Sequence, residues 1–175
     1  QGRINPAFYY GMFDQNDKRR DVSICVTGSD GKGNEKLIPL VPNSKAEGGG
    51  LTVNKWDENR MANPYTAKSR TSGINGPYMR LSEIYLGYAE ACAALGEDTE
   101  ARFYLNKIRN RAFSDGQANT DAFIAKCGSL LKAVIQERGF EYAGEGDRRW
   151  TLIRTGMLPE AIRNIKEMTK AMMDG

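Results

Sequence analysis

Glu137, Glu141 and Glu145 recur at every fourth residue, and on a continuous helix they would form one acidic strip beside Arg138, Arg148 and Arg149. Two carboxylates ~5 Å apart across a cleft are the arrangement of a retaining glycosidase, one serving as acid and the other as nucleophile. The neighbouring apolar residues mark this segment instead as a packed helix, and like charges at that spacing need cations between them. The favoured reading is an Arg–carboxylate network joining helix to helix, in which planar guanidinium groups satisfy two oxygens at once. Its expected members are Arg80, Glu83, Glu137, Arg138, Glu141, Glu145 and Arg148, with Glu137 and Arg148 largely buried and paired. For Arg80 and Glu83 an anionic ligand is the alternative. No residue is assigned a catalytic role, and no metal or cofactor is expected.

A second group has the chemistry to hold a ligand. Trp56, Tyr65, Tyr9 and Tyr10 are aromatics outside the helical stripes, with Asn54, Asp57, Asn59, Arg60 and Asn63 beside them. Flat apolar faces stack on pyranose rings, and planar amide, carboxylate and guanidinium groups bridge hydroxyls. The candidate ligand-binding residues are therefore Trp56, Tyr65, Tyr9, Tyr10, Asn54, Asp57 and Arg60, although a tryptophan closing a strand also serves as core.

Other chemistries lose ground. The chain has no histidine, so the commonest general base and transition-metal ligand are missing. Cys25, Cys92 and Cys127 are widely separated and odd in number, which specifies neither a disulfide framework nor a zinc site, and they read as small buried thiols. Gly48–Gly50 and Gly28–Gly33 match no nucleotide fingerprint, and Asp14, Asp17 and Asp21 lack the calcium-loop pattern. A net charge of +3 spread over 175 residues gives no concentrated basic face for nucleic acid. No apolar run approaches the ~20 residues that span a bilayer.

The elements that must position these groups fall into two parts. Five of the six prolines lie in residues 1–77, a loop-rich segment in which Val22, Ile24 and Val26 alternate and Lys36–Val41 and Leu51–Trp56 read as short strands. So few strands must lean on the helical part, residues 78–175. There Leu81, Ile84, Tyr85, Tyr88, Cys92 and Leu95 predict one face of a helix over Met79–Leu95, closed by Gly96. Asp98 or Thr99 should cap a second helix over Thr99–Ala112, with a stripe of Ala101, Tyr104, Leu105, Ile108 and Ala112. The pair is antiparallel and tetratricopeptide-like, with Ala89, Gly96, Ala101 and Leu105 at the packing offsets. Further helices are expected within 121–174: Asp121–Cys127, one capped by Ser129 and running toward Ala143, and one with Pro159 in its first turn and a stripe of Ala161, Ile165, Met168 and Met172. The fold class is mainly α. One tetratricopeptide-like unit cannot bury its face alone, so further repeats are expected upstream, and the chain, opening at Gln1, reads as a fragment of a longer protein.

Tyr78-Met79-Arg80-Leu81-Ser82-Glu83-Ile84-Tyr85-Leu86-Gly87-Tyr88-Ala89-Glu90-Ala91, then Leu105-Asn106-Lys107-Ile108-Arg109-Asn110-Arg111-Ala112, resembles the SusD/RagB family of nutrient-binding lipoproteins. So does Glu137-Arg138 followed by Glu145-Gly146-Asp147-Arg148-Arg149-Trp150 and Arg154-Thr155-Gly156. Asp17-Lys18-Arg19-Arg20-Asp21 and Lys55-Trp56 are shorter matches upstream. The sequence departs from the family at Gly139, where a long basic residue is common, at Asp147, where histidine is frequent, and at Lys18, where proline is usual. The resemblance implies non-catalytic binding of an oligosaccharide or related nutrient at the cell surface. It also implies a TonB-dependent outer-membrane transporter as partner and an outer-membrane lipoprotein location, the lipid-bearing cysteine lying outside this chain. A tetratricopeptide-like scaffold for a protein segment is the alternative function, and a glycoside hydrolase the next.

Overall fold

The computed structural model describes residues 3–29, 34–38, 51–57 and 74–174. Its element order is β1 (Arg3–Ile4), a π-helical turn (Phe8–Met12), α1 (Arg19–Ser23), β2 (Ile24–Cys25), β3 (Thr27–Ser29), β4 (Glu35–Leu37) and β5 (Leu51–Val53), followed by six helices. These are α2 (Leu81–Leu95), α3 (Asp98–Ala112), α4 (Thr120–Cys127), α5 (Leu130–Glu141), α6 (Asp147–Arg154) and α7 (Leu158–Asp174). The architecture is mainly α, with short antiparallel strands confined to the amino-terminal region. Strands β1, β5 and β2 form one sheet with β5 central, and β3 pairs with β4.

Local chemistry explains the helix ends. Gly96 takes the left-handed conformation (φ 80°), and its N–H returns to the Cys92 carbonyl. The Asn119 side chain accepts from Ala122 N at the start of α4, and Ser129 Oγ accepts from Lys132 N at the start of α5. Helix α3 differs from expectation: it begins at Asp98 after Glu97, with no side-chain cap. Asp98 and Glu100 instead place negative charge in its first turn, where the helix dipole favours it.

Helices α2, α3 and α5 enclose one core of Leu86, Ala89, Cys92, Ala101, Leu105, Ile108, Val134 and Tyr142. Ala89, Ala101 and Leu105 are fully buried, and Tyr104 packs against both Tyr85 and Tyr88 at ring separations of 5.4 and 4.9 Å. The buried face of α2 is shifted from the expected one, sharing with it only Cys92 and the partly buried Tyr85. Leu81, Ile84, Tyr88 and Leu95 are exposed, whereas Ser82, Leu86, Ala89 and Cys92 face the core. The helix is apolar on two sides, and the side with small residues allows the closer approach of α3.

A second core of Tyr9, Phe13, Ile24, Leu51 and Phe140 seats the amino-terminal strands and the π-helical turn on α5. The alternation at Val22, Ile24 and Val26 is split, because Val22 ends up exposed within α1 and Ile24 buried in β2. Of the three thiols only Cys92 is buried; Cys25 and Cys127 are intermediate. On α7 the residues Ala161, Ile165, Met168 and Met172 share the inward side, yet none is fully buried.

Candidate ligand site and ion-pair hub

Helix α5 is enclosed on nearly every side, burying Glu137, Arg138 and Glu141 together with Ala133, Val134, Ile135 and Phe140. Charged groups survive at such depth only when paired. Glu137, fully buried, accepts from Arg109 Nη1 at 2.9 Å. Arg19 Nη2 lies 2.6 Å from its other oxygen, a Coulombic contact whose angle falls outside hydrogen-bond geometry. One turn on, Glu141 gathers three guanidinium groups: Arg111 at 2.6 Å, Arg80 at 2.7 Å and Arg19 at 3.0 Å. Burial pushes the Glu141 carboxyl up, but the Arg111 and Arg80 donors outweigh it and hold it at about 2.

Helix α5 ends at Glu141, so Glu145 belongs to the following turn rather than to a continuous acidic strip. It still meets the same cations, pairing with Arg80 (2.7 Å) and with Lys55, whose Nζ also donates to the Glu141 carbonyl at 2.6 Å. Arg19 adds a bidentate pair with Asp17. Beside this hub, Arg138 bridges Glu83 (2.8 Å) and Asp147 (2.7 Å), which ties α2 to α6. Arg148 differs from the expected pairing. Its guanidinium donates to the Ile135 carbonyl and to Gln136 Oε1, both at 2.8 Å, and holds no carboxylate among the described residues.

Sequence reasoning missed Arg19, Asp17, Lys55, Arg109 and Arg111 as members of this hub. Their signal was present in the Asp17–Asp21 and Lys55-Trp56 segments, but only the tertiary fold brings them to the end of α5. With every hub carboxylate engaged by cations, the arrangement works as a fastener rather than as an acid and a nucleophile facing a substrate.

The aromatic candidates separate. Trp56 is 40 % exposed and follows Lys55, whose double anchorage fixes the backbone that presents the indole. Asn54 N donates to the Ser23 carbonyl, so Asn54 serves the register of β5 at least through its backbone, and Asp57 beside Trp56 is half-buried. Tyr10 is exposed and meets Tyr9 edge-on at 4.7 Å. Tyr9 itself is a correction: its ring is buried in the second core, its hydroxyl donates to Asp21 Oδ1 at 2.5 Å, and burial raises the phenol to about 12. A side chain so committed offers no open face. Tyr65 and Arg60, like Asn59 and Asn63, lie outside the described residues.

The other tryptophan, Trp150 on α6, is more exposed still, and with Glu83, Glu90, Asp147 and Arg154 it walls an open groove of about 700 Å³ between α2 and α6. No group of histidine, cysteine or carboxylate side chains suited to a metal occurs among the described residues, and no helix there is long and apolar enough to cross a membrane.

Comparison with known proteins adds what geometry cannot. A family model described as the SusD family matches residues 2–174. SusD-like protein P25 of Formosa agariphila is 34 % identical over 87 residues, a stretch covering 50 % of this chain and 16 % of that protein. The chain therefore matches only about a sixth of the length of this relative. No solved structure matches it.

Proposed function

Because the chain belongs to the SusD family, we propose that it captures an oligosaccharide at the cell surface, without turnover, for import through a TonB-dependent transporter. SusD-family proteins bind glycans for import, are generally non-catalytic, and are lipoproteins of the outer membrane. The observation that carries the reading is the family match over nearly the whole chain. The saturated hub around Glu137 and Glu141 supports the non-catalytic part, since a general acid needs a proton at working pH and Glu141 is held at about 2.

Within this chain the reading assigns ligand contact to Trp56, with Asn54, Asp57 and Tyr10 beside it in the sequence-derived set; Tyr65 and Arg60 are proposed from the sequence alone. Support comes from the exposed indole on an anchored backbone. One stacked aromatic face is worth ~1–2 kcal/mol. Trp56→Ala should thus weaken oligosaccharide affinity roughly five- to thirtyfold, as measured by calorimetry on the folded protein. Unchanged affinity in Trp56→Ala and Tyr65→Ala together would place the site elsewhere in the protein.

A further inference from the structure

A cleft of about 940 Å³ opens between the amino-terminal segment, the loop joining α3 to α4, and helices α5, α6 and α7. Phe8, Met12, Phe140, Leu152, Ile165 and Met168 give it a largely apolar wall. Against that wall stands Arg148, whose surroundings set it apart from the hub arginines. Arg19, Arg80, Arg109 and Arg138 each hold at least one carboxylate, whereas Arg148 holds only a main-chain carbonyl and a neutral amide oxygen. Asp147, its nearest acidic neighbour in sequence, is committed to Arg138 and Thr151.

The space that admits Arg148 comes from Gly139. A Cβ there would lie 2.9 Å from Arg148 Nη1, so the guanidinium lies across the one position of α5 that lacks a side chain. Two of the five guanidinium N–H groups are used, which leaves three. Gln136 shares the predicament: its Oε1 accepts from Arg148, and its Nε2 is buried with no acceptor. Arg109 Nε, on the same cleft, is likewise buried and unpartnered, and Lys126 and Arg149 add positive charge to the lining. The acidic lining residues are already engaged: Asp17 by Arg19, Glu160 by Lys132, and Asp14 by the Asn16 N–H. Arg148 is half-buried with no carboxylate in salt-bridge contact among the described residues, and the Gln136 amide it touches has a buried N–H with no acceptor; one anionic oxygen would serve both.

We propose that this cleft binds an acidic oligosaccharide, with a carboxylate or sulfate substituent taken by Arg148 and the Gln136 amide while the apolar face of a sugar ring lies on the cleft wall. The proposal rests on the glycan reading above and narrows its ligand class. Carboxylate and sulfate offer the same recognition chemistry, so the probes must separate them.

The test uses calorimetry with a galacturonate hexasaccharide, a sulfated galactan hexasaccharide and neutral cellohexaose, at low and physiological salt, on the parent protein, Gln136→Glu and Arg148→Gln. Gln136→Glu keeps the shape of the side chain but supplies an internal carboxylate 2.8 Å from Arg148 Nη2, which competes with a ligand anion for the guanidinium. The parent should bind at least one acidic probe ten times or more tightly than cellohexaose, with affinity falling as salt rises. Gln136→Glu should lose at least tenfold for that probe while melting no lower than the parent, which separates loss of the anion site from loss of fold; Arg148→Gln should lose as much. Preference for galacturonate or for sulfated galactan identifies the anion. Equal affinity for acidic and neutral probes, or an acidic affinity unmoved by Gln136→Glu, would overturn the charge assignment and leave the glycan reading standing. Binding of none of the three would count against both.

Discussion

Replacing Glu141 by glutamine removes one charge from the point where three guanidinium groups converge, while the Glu141 carbonyl keeps its bonds from Lys55 and Arg80. The carboxyl is held at about 2 against an ordinary 4.5, and by linkage that difference is worth on the order of 3 kcal/mol at pH 7. The sign follows from the depressed value. The stabilisation is complete above the unfolded-state value near 4.5 and is lost as pH falls through the folded-state value near 2, with roughly 1.4 kcal/mol remaining at pH 3. Urea titrations of parent and Glu141→Gln at pH 7 and pH 3 measure this, and the difference between the two proteins cancels the titration of other carboxylates. Glu141→Gln should be less stable by on the order of 3 kcal/mol at pH 7, and the gap should shrink by more than half at pH 3. A gap that is small at pH 7, or equal at both pH values, would refute the claim that the hub fastens the amino-terminal segment through charge.

Leu105 is fully buried between α2, α3 and α5, so Leu105→Ala should cost about 2–5 kcal/mol in a denaturant titration; a loss near zero would contradict its placement. Gly144 follows α5 with φ 82°, and a Cβ there would meet the Val53 methyl groups at 2.6 and 2.7 Å. Gly144→Ala should therefore lower stability by at least ~1–2 kcal/mol, the cost of the left-handed conformation alone, and thermal melting checks it.

Much of the helical part was legible because its signals are local. Gly96 and Ser129 mark helix ends by capping chemistry that needs no tertiary partner. The buried face of α2 was not legible in the same way, since apolar residues occur on two sides and periodicity cannot say which side α3 will cover. Helix α6 shows in the sequence only as a motif, because Arg148, Arg149 and Trp150 carry no apolar stripe over so short a span. In the hub, the acidic members announced themselves through four-residue spacing, whereas Arg19 and Lys55 are separated from Glu141 by 122 and 86 positions and could be placed only by the fold. In the sequence Tyr9 reads as an open aromatic because it lies outside the helical stripes. Its burial depends on the π-helical turn, which turns one tyrosine inward and leaves the next outside.

Capture without cleavage is the central claim, and one preparation tests it. Purified protein is titrated with an oligosaccharide by calorimetry, and the same mixture is then incubated for days and its sugars separated by chromatography. Saturable binding with the oligosaccharide recovered intact is the predicted result, whereas the appearance of shorter sugars in proportion to protein concentration would contradict it.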